Sequence, residues 1–482
     1  MELLIIIGLL VIVLIIVLII RTLKLKEQII EPFNTEKLKL DKEKCLKNLS
    51  TAIQIETISH EDSKKNNYHT FKILKDYIET EFNDLLIKSE KIDTDAEALV
   101  YRYKGTSNQK PILLTAHLDV VPINKEQIDN WIEPPFSGKI KDGYIWGRGT
   151  LDIKSQAMAI LEALRYLCNR GFRPKRDIYF AFGMDEEVGG KRGAKKVSEY
   201  FKKNNIEFSF VLDEGGAVTE NSLKGIKRPI AVVGVCEKGH INMELIAKSK
   251  GGHAAMPSKT DPLVRLMKAG VLLNNKPFDK KLIKPVEEML KRLAPHMSLP
   301  EKIIISNLFI FKKLFMHIFE KTPTGNAMLR TTSAYTVISG SSQENILPQE
   351  AMLNVNMRVL HGDTSESVYK EVSDKLKKLD VEIRLKRKDN PSNISQTSNN
   401  EFKFIERCIR THFKDSIITP YLMMASSDAL HYEKNSECVY RFSPYQIDNS
   451  DLKKMHGNDE CISVENYLRM IEFYITIAQN IN

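Results

Sequence analysis

The sequence predicts an α/β fold in which a largely parallel mixed sheet is flanked by helices, interrupted by a smaller α+β unit and preceded by an apolar helix. From about residue 40, amphipathic helical patterns alternate with short apolar strands, as is typical of α/β proteins. Residues 236–360 differ, because their strands alternate apolar and polar positions around a helical middle. At 482 residues, the chain is also longer than a single hydrophobic core usually supports.

Residues 3–20 are an uninterrupted apolar stretch, followed by Arg21, Lys24 and Lys26. A helix of about 20 residues crosses the hydrocarbon core of a bilayer, so we expect residues 1–22 to be a single-pass membrane anchor. A cleaved signal peptide is the alternative, but the stretch lacks a basic leading segment and an A-x-A-like cleavage site. The basic residues after the stretch predict a cytoplasmic location for the rest of the chain, with an extracytoplasmic location as the alternative.

Three apolar segments of the larger unit have acidic or imidazole groups at their C-terminal ends: KPILLTAHLD (110–119), RDIYFAFGMDEE (176–187) and FSFVLDEGG (208–216). Ligands of open α/β sheets bind beyond the carboxyl ends of the strands, so these ends predict one shared site. The pattern of helices and strands divides the chain into a larger domain, residues 23–235 and 361–482, and the smaller unit inserted between them, residues 236–360.

Charge and cysteine content argue against a nucleic-acid-binding protein and against a disulfide-stabilised protein. The formal net charge of +9 comes from lysines mixed with acidic residues. The basic run RLKRKD at 384–389 has no interleaved aromatic residues, so it predicts a solvated surface, and no nucleic-acid partner is expected. The six cysteines are scattered without a C-x-x-C pair, which predicts reduced and packed thiols rather than a disulfide framework.

Carboxylates and imidazoles recur at or near the predicted strand ends, at His117, Asp119, Asp152, Glu186, Glu187, Asp213 and His456. Each alone has an ordinary explanation, such as a helix N-cap for Asp152. Several buried carboxylates in one crevice, however, repel one another and are costly to desolvate unless cations neutralise them. Mixed imidazole and carboxylate ligands suit zinc, and cobalt or manganese are also acceptable. The residues therefore predict a metal site, and two such ions can lower the pKa of a shared water to about 7.

Eight motifs resemble, in order, those of the M20 family of metallopeptidases: HLDVVP, GRGTLDIKS, MDEEVGG, LDEGG, GGHAAMPS, NILP, NMRVLHGDT and MHGNDE. The resemblance extends from about residue 45 to the C-terminus. Residues 327–348 and the RFSP segment at 441–444 are most similar to the Gly-Xaa carboxypeptidase and N-acyl-amino-acid hydrolase branch. The resemblance implies a zinc-exopeptidase-like sheet, with the inserted unit as a lid and dimerisation domain, so a homodimer is a possible assembly.

The resemblance also implies roles for the site residues. Five side chains would bind two divalent ions, expected to be zinc: His117 and Asp213 at one ion, Glu187 and His456 at the other, and Asp152 bridging both. Two residues would be catalytic. Asp119 would accept the far ring N–H of His117 and hold its tautomer, and Glu186 would be the general base that takes a proton from water and passes it to the leaving nitrogen. Ile153 departs from the family, because many relatives have a polar or acidic residue there, after a peptide bond that is often cis.

Three residues of the inserted unit are expected to bind substrate. The resemblance implies that His253, from the same subunit or from a partner, stabilises the substrate oxyanion, and that Asn345 donates a further hydrogen bond. Arg358 would bind a substrate carboxylate through a bidentate pair. The structural alternatives are a loop histidine, a turn asparagine and a surface arginine.

Taken together, the residues and the resemblance predict a membrane-anchored, two-metal hydrolase that cleaves the amide bond next to a C-terminal amino acid in a short peptide or an N-acyl amino acid. An aminoacylase, a deacetylase or a dipeptidase of the same family is the nearest alternative, because these enzymes differ in the acyl group that they accommodate. A catalytically inactive, membrane-anchored binding protein is the alternative from another class. That alternative predicts the loss of at least one metal ligand, and all five are present.

Overall fold

The computed structural model describes residues 1–481 except 222 and 224, so positions 222, 224 and 482 of the predicted domain ranges lie outside it. The helices of this part of the chain are α1 (Glu2–Lys24), α2 (Lys42–Gln54), α3 (Tyr68–Glu81), α4 (Asn83–Leu86), α5 (Lys154–Cys168), α6 (Ala194–Lys203), α7 (Pro262–Asn275), α8 (Lys284–Leu293), α9 (Leu299–Ser306), α10 (Leu308–Phe319), α11 (Pro323–Leu329), α12 (Ser365–Leu376), α13 (Asn400–His412), α14 (Ala429–Tyr432), α15 (Asn449–Leu452) and α16 (Val464–Asn480).

The strands follow the same order and form two main sheets with two small additional ones. They are β1 (Glu90–Lys91), β2 (Ala98–Tyr103), β3 (Ile112–His117), β4 (Ile140–Lys141), β5 (Tyr144–Trp146), β6 (Ile178–Gly183), β7 (Val211–Asp213), β8 (Val218–Thr219), β9 (Ile230–Glu237), β10 (Gly239–Lys248), β11 (Gly252–His253), β12 (Thr332–Ser339), β13 (Ile346–Leu347), β14 (Glu350–Val359), β15 (Glu382–Asp389), β16 (Ile417–Met423), β17 (Val439–Arg441), β18 (Gln446–Ile447) and β19 (Cys461–Ser463).

The larger sheet is mixed, with the strand order β1-β2-β6-β3-β7-β17-β9-β8-β18, and β16 pairs with β9. Its centre, from β6 through β3 and β7 to β17, is parallel, whereas β2 and β9 pair antiparallel with their neighbours β6 and β17. Parallel strands need crossover connections, which here contain helices such as α5 between β3 and β6. The structure confirms the predicted mixed α/β sheet flanked by helices.

Helices cover both faces of this sheet. Successive side chains of β3 point to opposite faces, so Leu114 packs into the core shared with α5 and α16, and Leu113 packs against α6 and α14. All six residues of β3 are buried. A strand that is buried on both faces is apolar until it leaves the sheet, which is why the polar His117 marks the edge of the sheet.

The smaller sheet has the order β12-β14-β10-β15 and is antiparallel. Along β10, buried residues alternate with half-buried ones. The buried positions Ile241, Met243 and Leu245 pack against residues of α7 and α12, so helices cover one face of this sheet only. One-sided coverage explains the alternating pattern in the sequence.

The smaller unit differs in two places from the predicted boundaries at 236 and 360. Helix α12 and strand β15 follow residue 360, yet they belong to the smaller core and sheet. Conversely, α8 lies inside the predicted insert, but its apolar residues Val286, Met289 and Leu290 pack in the core of the larger unit. An amphipathic pattern shows that one face of an element is buried, but it does not show which sheet covers that face.

Helix α1 has 23 residues and is apolar and long enough to cross a membrane, and its most apolar 18-residue window is not buried in the protein. An N-terminal signal sequence has the same features. The six cysteines are free and buried, as predicted.

Candidate metal centre

The predicted site residues come from the carboxyl ends of adjacent parallel strands. His117 is the last residue of β3, Asp213 is the last residue of β7, and Glu186 and Glu187 form a short turn shortly after β6. Asp152 precedes α5, and its peptide bond to Ile153 is cis. The order of the strands in the sheet is what brings these segments, which are distant in the sequence, to one edge.

The Asp152 carboxylate lies between two imidazoles. Its Oδ1 atom is 3.0 Å from Nε2 of His117, and its Oδ2 atom is 2.9 Å from Nε2 of His456. The same His456 nitrogen is 3.3 Å from Oε2 of Glu187. His117, Asp152 and Glu187 form one group whose ligand atoms all lie within 4.8 Å of one another. Asp152 thus occupies the central position that a bridging ligand requires.

Glu214, which the sequence motifs did not single out, is a further candidate ligand. Its Oε1 atom is 3.4 Å from Nε2 of His117, and Oε2 of Glu186 is 3.9 Å from the same nitrogen. These three residues form a second group that could hold a cation. Asp213, the expected ligand, belongs to neither group, so Glu214 is a second candidate ligand beside it. Asp213 and Glu214 are adjacent, and side chains of adjacent residues in an extended chain point in opposite directions. The sequence signal for Glu214 is that it is the second acid of the LDEGG motif.

Asp119 supports both the imidazole and the acidic turn. The His117 Nδ1 atom is 3.0 Å from the backbone oxygen of Asp119 and 3.5 Å from its carboxylate, so the backbone is the closer acceptor. The carboxylate instead accepts hydrogen bonds from the backbone N–H groups of Glu186 and Glu187 and from the Ser59 hydroxyl. Asp119 is fully buried. It therefore holds His117 and the two glutamates in a common arrangement.

A second carboxylate, that of Glu460, organises the loop that presents Asp152. It accepts hydrogen bonds from the backbone N–H groups of Gly149, Leu151 and Asp152 at 3.0, 2.8 and 3.2 Å. The Arg148 guanidinium donates to its other oxygen. Glu460 is the last residue of the MHGNDE motif, four positions after His456, so one short segment supplies both a candidate ligand and the support for the bridging residue.

The electrostatics of the cluster fit a cation site. Burial, followed by the neighbouring Asp152 carboxylate, raises the pKa of both Glu187 and Glu214 to about 7. Hydrogen bonds to Asp152 and Glu187 raise the pKa of His456 to about 10. Among the described residues, the buried Oε1 atom of Glu187 has no hydrogen-bond partner. Carboxylates outnumber imidazoles here, so divalent cations would relieve their repulsion, and the oxygen and nitrogen donors suit zinc.

We expect the metal-free protein to lose stability as the pH rises from about 5 to about 8. Glu187 and Glu214 have pKa values of about 7 in the folded protein against ordinary values of 4.5. Protonation therefore favours the folded state, and this contribution is lost as the pH rises through the folded-state pKa. His456, whose pKa is raised above 6.5, adds a loss of the same sign at higher pH. The melting temperature measured across this range tests the expectation.

Two comparisons make this measurement specific. Zinc should raise the melting temperature more at the upper end of the range, because its ligands must be deprotonated to bind it. The Glu187→Gln variant lacks one of the titrating groups, so its metal-free melting temperature should depend less steeply on pH. A melting temperature that is independent of pH in the metal-free protein would contradict the proposed electrostatics.

The three predicted substrate-binding residues lie in or beside the smaller sheet. His253 in β11 pairs with Ile346 in β13, and the backbone oxygen of the adjacent Asn345 accepts a hydrogen bond from Ala254 at 2.9 Å, so His253 and Asn345 lie close together. Arg358 is half-buried in β14. Within the described part of the chain, no hydrogen bond or ion pair joins these residues to the carboxylate–histidine cluster.

A mixed α/β sheet with carboxylates and imidazoles gathered at its carboxyl edge is an arrangement typical of metallohydrolases. A model described as Peptidase family M20/M25/M40 matches residues 113–480, and the chain belongs to this family. The family resemblance drawn from the motifs is thereby confirmed.

Relatives and solved structures agree with this assignment. The chain is 38% identical over 389 residues to a probable carboxypeptidase S-like 2 of Dictyostelium discoideum, covering 80% of this chain and 74% of the relative. It is 32% identical to the N-fatty-acyl-amino acid synthase/hydrolase PM20D1 of Mus musculus, covering 90% and 86%. An M20 family metallo-carboxypeptidase from Sulfolobus solfataricus shares the fold, with a TM-score of 0.65, 17% identity and coverage of 90% and 98%. The chain is therefore a hydrolase of amide bonds, as the sequence predicts.

Proposed function

We propose that this protein hydrolyses the amide bond between an acyl or peptidyl group and a C-terminal amino acid, using two divalent cations. The observation that carries the proposal is the position of the Asp152 carboxylate, with one oxygen directed to His117 and the other to His456. A single carboxylate between two imidazoles, with a further glutamate beside each, provides ligands for two neighbouring ions. Zinc fits these donors, and cobalt or manganese are the alternatives.

The two proposed ion sites share Asp152. His117 and Glu214 complete the first site, and Glu187 and His456 complete the second. When bound, the two cations would lower the pKa of a water molecule and polarise the amide carbonyl of the substrate. Asp119 and Glu460 hold these ligands through backbone contacts, so the proposed sites are pre-organised by the fold.

Glu186 is the proposed general base. It lies 3.9 Å from the His117 ring, and burial together with the charge of Glu214 raises the pKa of Glu186 well above its ordinary value, against the opposing effect of His117. A carboxylate with a raised pKa can take a proton from water and return it to the leaving nitrogen near neutral pH. Glu186 would therefore move the proton, while its neighbour Glu187 binds the cation.

Arg358 supports a substrate with a free carboxylate. Within the described residues, no carboxylate lies within ion-pair distance of its guanidinium, and burial and the nearby Arg387 lower its pKa. A half-buried arginine without a carboxylate partner can bind an incoming carboxylate through two parallel hydrogen bonds. We assign this role to Arg358, and we assign carbonyl recognition to His253 and Asn345, acting in the same subunit or across a homodimer.

A substrate panel tests the proposed function on the full-length, zinc-loaded protein. The panel contains N-fatty-acyl amino acids, short peptides and N-acetyl amino acids, each with a free C-terminal carboxylate. The proposal predicts hydrolysis of the first or second group. Selective hydrolysis of the acetylated compounds would favour an aminoacylase instead, and no turnover with zinc, cobalt or manganese would favour an inactive binding protein.

Replacing Arg358 by alanine should raise KM for substrates with a free carboxylate by about 10- to 100-fold, because a charge-assisted pair of hydrogen bonds contributes about 1.5–3 kcal/mol. The corresponding C-terminal amides should show little change, since they lack the charge that Arg358 would bind. Steady-state kinetics on matched acid and amide substrates measure the difference. The control is Arg384→Ala, which removes an exposed arginine of the same small sheet. Equal effects of Arg358→Ala on acids and amides would contradict its role.

We further propose that α1 anchors the protein in a membrane as a single-pass helix. Its 23 residues extend about 35 Å at 1.5 Å per residue, which exceeds the hydrocarbon thickness of about 30 Å. Arg21 and Lys24 lie in its last turn. By the positive-inside rule, this arrangement supports a cytoplasmic catalytic domain.

A further inference from the structure

The segment formed by α9 and α10 is fastened to the C-terminal end of α1. The Asn307 side chain, which is buried between α9 and α10, donates hydrogen bonds to the Leu18 carbonyl and the Thr22 hydroxyl, both at 3.3 Å. Arg21 donates to the Ser306 carbonyl at 3.2 Å. Thr22 is the only residue of α1 that is buried. The contact between the two parts is therefore specific and lies where α1 would leave a membrane.

Helix α10 exposes an apolar face next to this contact. Ile310, Leu314 and Ile318 are spaced by four residues, so they lie on one side of the helix, and their exposed fractions are 44%, 48% and 49%. Phe309 is 60% exposed and lies beneath the Arg21 guanidinium. A row of exposed apolar side chains along one side of a helix, like that of Ile310, Leu314 and Ile318, can mark an interaction site.

Another side of α10, about a third of a turn from this face, already has its packing partners. Leu308 is buried in the core of the larger unit, and Phe315 and Phe319 pack against that core. Packing against the larger unit therefore explains the apolar residues on that side of α10, but it does not explain the exposed apolar residues Ile310, Leu314 and Ile318.

We propose that the Ile310, Leu314 and Ile318 face of α10 inserts into the interface of the lipid bilayer beside α1. This proposal rests on the membrane anchor proposed above and adds a second point of attachment. The argument for lipid is continuity, because the patch adjoins the end of a helix whose apolar window is itself not buried. A lipid surface is the partner that can contact both apolar surfaces at once.

The length and charge of α10 define how it would bind. Its 12 residues extend about 18 Å at 1.5 Å per residue, too short to cross the hydrocarbon core of about 30 Å. It would therefore lie in the plane of the interface, as amphipathic peripheral helices do. The exposed Lys313 and His317 lie next to the apolar face, and Lys313 can direct its charge to anionic headgroups while its stem lies along the lipid.

The proposal has a consequence for the catalytic domain. The contact of α1 with Ser306 and Asn307 attaches the domain to the membrane-spanning helix at one point. A second contact through α10 would restrain the larger unit against the membrane surface, because α10 packs directly on its core. The two contacts, through α1 and α10, would then fix the orientation of the catalytic domain relative to the bilayer.

Nitroxide labels on the full-length protein in vesicles of phosphatidylcholine and phosphatidylglycerol test the proposal. Single Leu314→Cys, Val11→Cys and Ile87→Cys variants place the label on the proposed patch, within α1 and on an exposed apolar residue elsewhere, and Ile87 is 70% exposed. The native cysteines are all buried, which favours labelling of the introduced thiol. Electron paramagnetic resonance then compares collisions with oxygen, which concentrates in lipid, and with a water-soluble nickel chelate.

The proposal expects the ratio of oxygen to nickel collisions at position 314 to exceed that at position 87 several-fold. A ratio at position 314 equal to that at position 87 would overturn it, and the label at position 11 would show whether α1 itself is in lipid. A label at position 314 that neither reagent reaches would also overturn the proposal, because protein, such as a second copy of the chain, would then cover the patch. Activity of each labelled protein confirms that it is folded.

Discussion

The Glu186→Gln variant should retain its bound metal and lose about 10²- to 10⁴-fold in kcat, the range that general acid–base catalysis usually contributes. The amide has nearly the shape of the carboxylate but cannot accept and return a proton. Glu186 also belongs to a group with His117 and Glu214 that could hold a cation. The measurement therefore separates two roles, because a proton shuttle affects turnover, whereas a ligand affects metal content as well.

Elemental analysis of the purified variant, together with kcat and KM for one substrate, checks this expectation. The matched control is Glu199→Gln, the same chemical change at an exposed position on α6. The control should retain both metal and activity. Full activity of Glu186→Gln would contradict the general-base assignment, and loss of metal in parallel with activity would make Glu186 a ligand instead.

The Glu214→Gln variant should bind zinc at least about 100-fold more weakly at the site that contains His117, above the range typical of residues that only orient a ligand. Its carboxylate lies 3.4 Å from the His117 ring nitrogen, and no other described carboxylate beyond Asp152 lies closer to that atom. Activity should fall with the metal content, because the proposed reaction needs both ions. Titration of the metal-free protein with zinc measures the affinity of each site.

Asp213→Asn is the informative comparison, since Asp213 is the immediate neighbour and was the ligand expected from the sequence. Both carboxylate oxygens of Asp213 are buried without hydrogen-bond partners among the described residues, and burial raises its pKa to about 6. Unpartnered oxygens of this kind also suit a cation, so the retention of both metals by Asp213→Asn is expected only if Glu214 is the ligand. Loss of one metal in Asp213→Asn, with two retained in Glu214→Gln, would show that Asp213 is the ligand, as the sequence predicts.

Most of the larger unit could be predicted from local patterns. Strand β3 is apolar up to His117 because both of its faces are buried, and α5 has the apolar spacing of a helix packed against a sheet. The boundaries of the smaller unit were less predictable. Helix α8 and helix α12 are both amphipathic, yet one packs on the larger core and the other on the smaller. Periodicity reports a buried face without identifying its partner.

In the site, too, the sequence predicted some features and the structure was needed for others. The motifs predicted His117, Asp152, Glu187 and His456 as ligands. In the structure the Asp152 carboxylate lies within hydrogen-bond distance of both imidazoles, and His456 lies 3.3 Å from Glu187. The motifs could not decide between Asp213 and Glu214. Neither could they show that the backbone carbonyl of Asp119, rather than its carboxylate, lies closest to the far nitrogen of His117.

The kinds of chemical group at the strand ends, and hence a candidate metal site, follow from residue types and spacing, and the resemblance of the motifs to the M20 family adds the prediction of an amide hydrolase. The closeness of Glu214 to His117, the support that Glu460 gives to Asp152, and the exposed face of α10 beside α1 required the folded protein. Each depends on which of two neighbouring residues turns inward, or on a contact between segments far apart along the chain. Such contacts form only when the whole chain has folded, so they cannot be predicted from any one segment of the sequence.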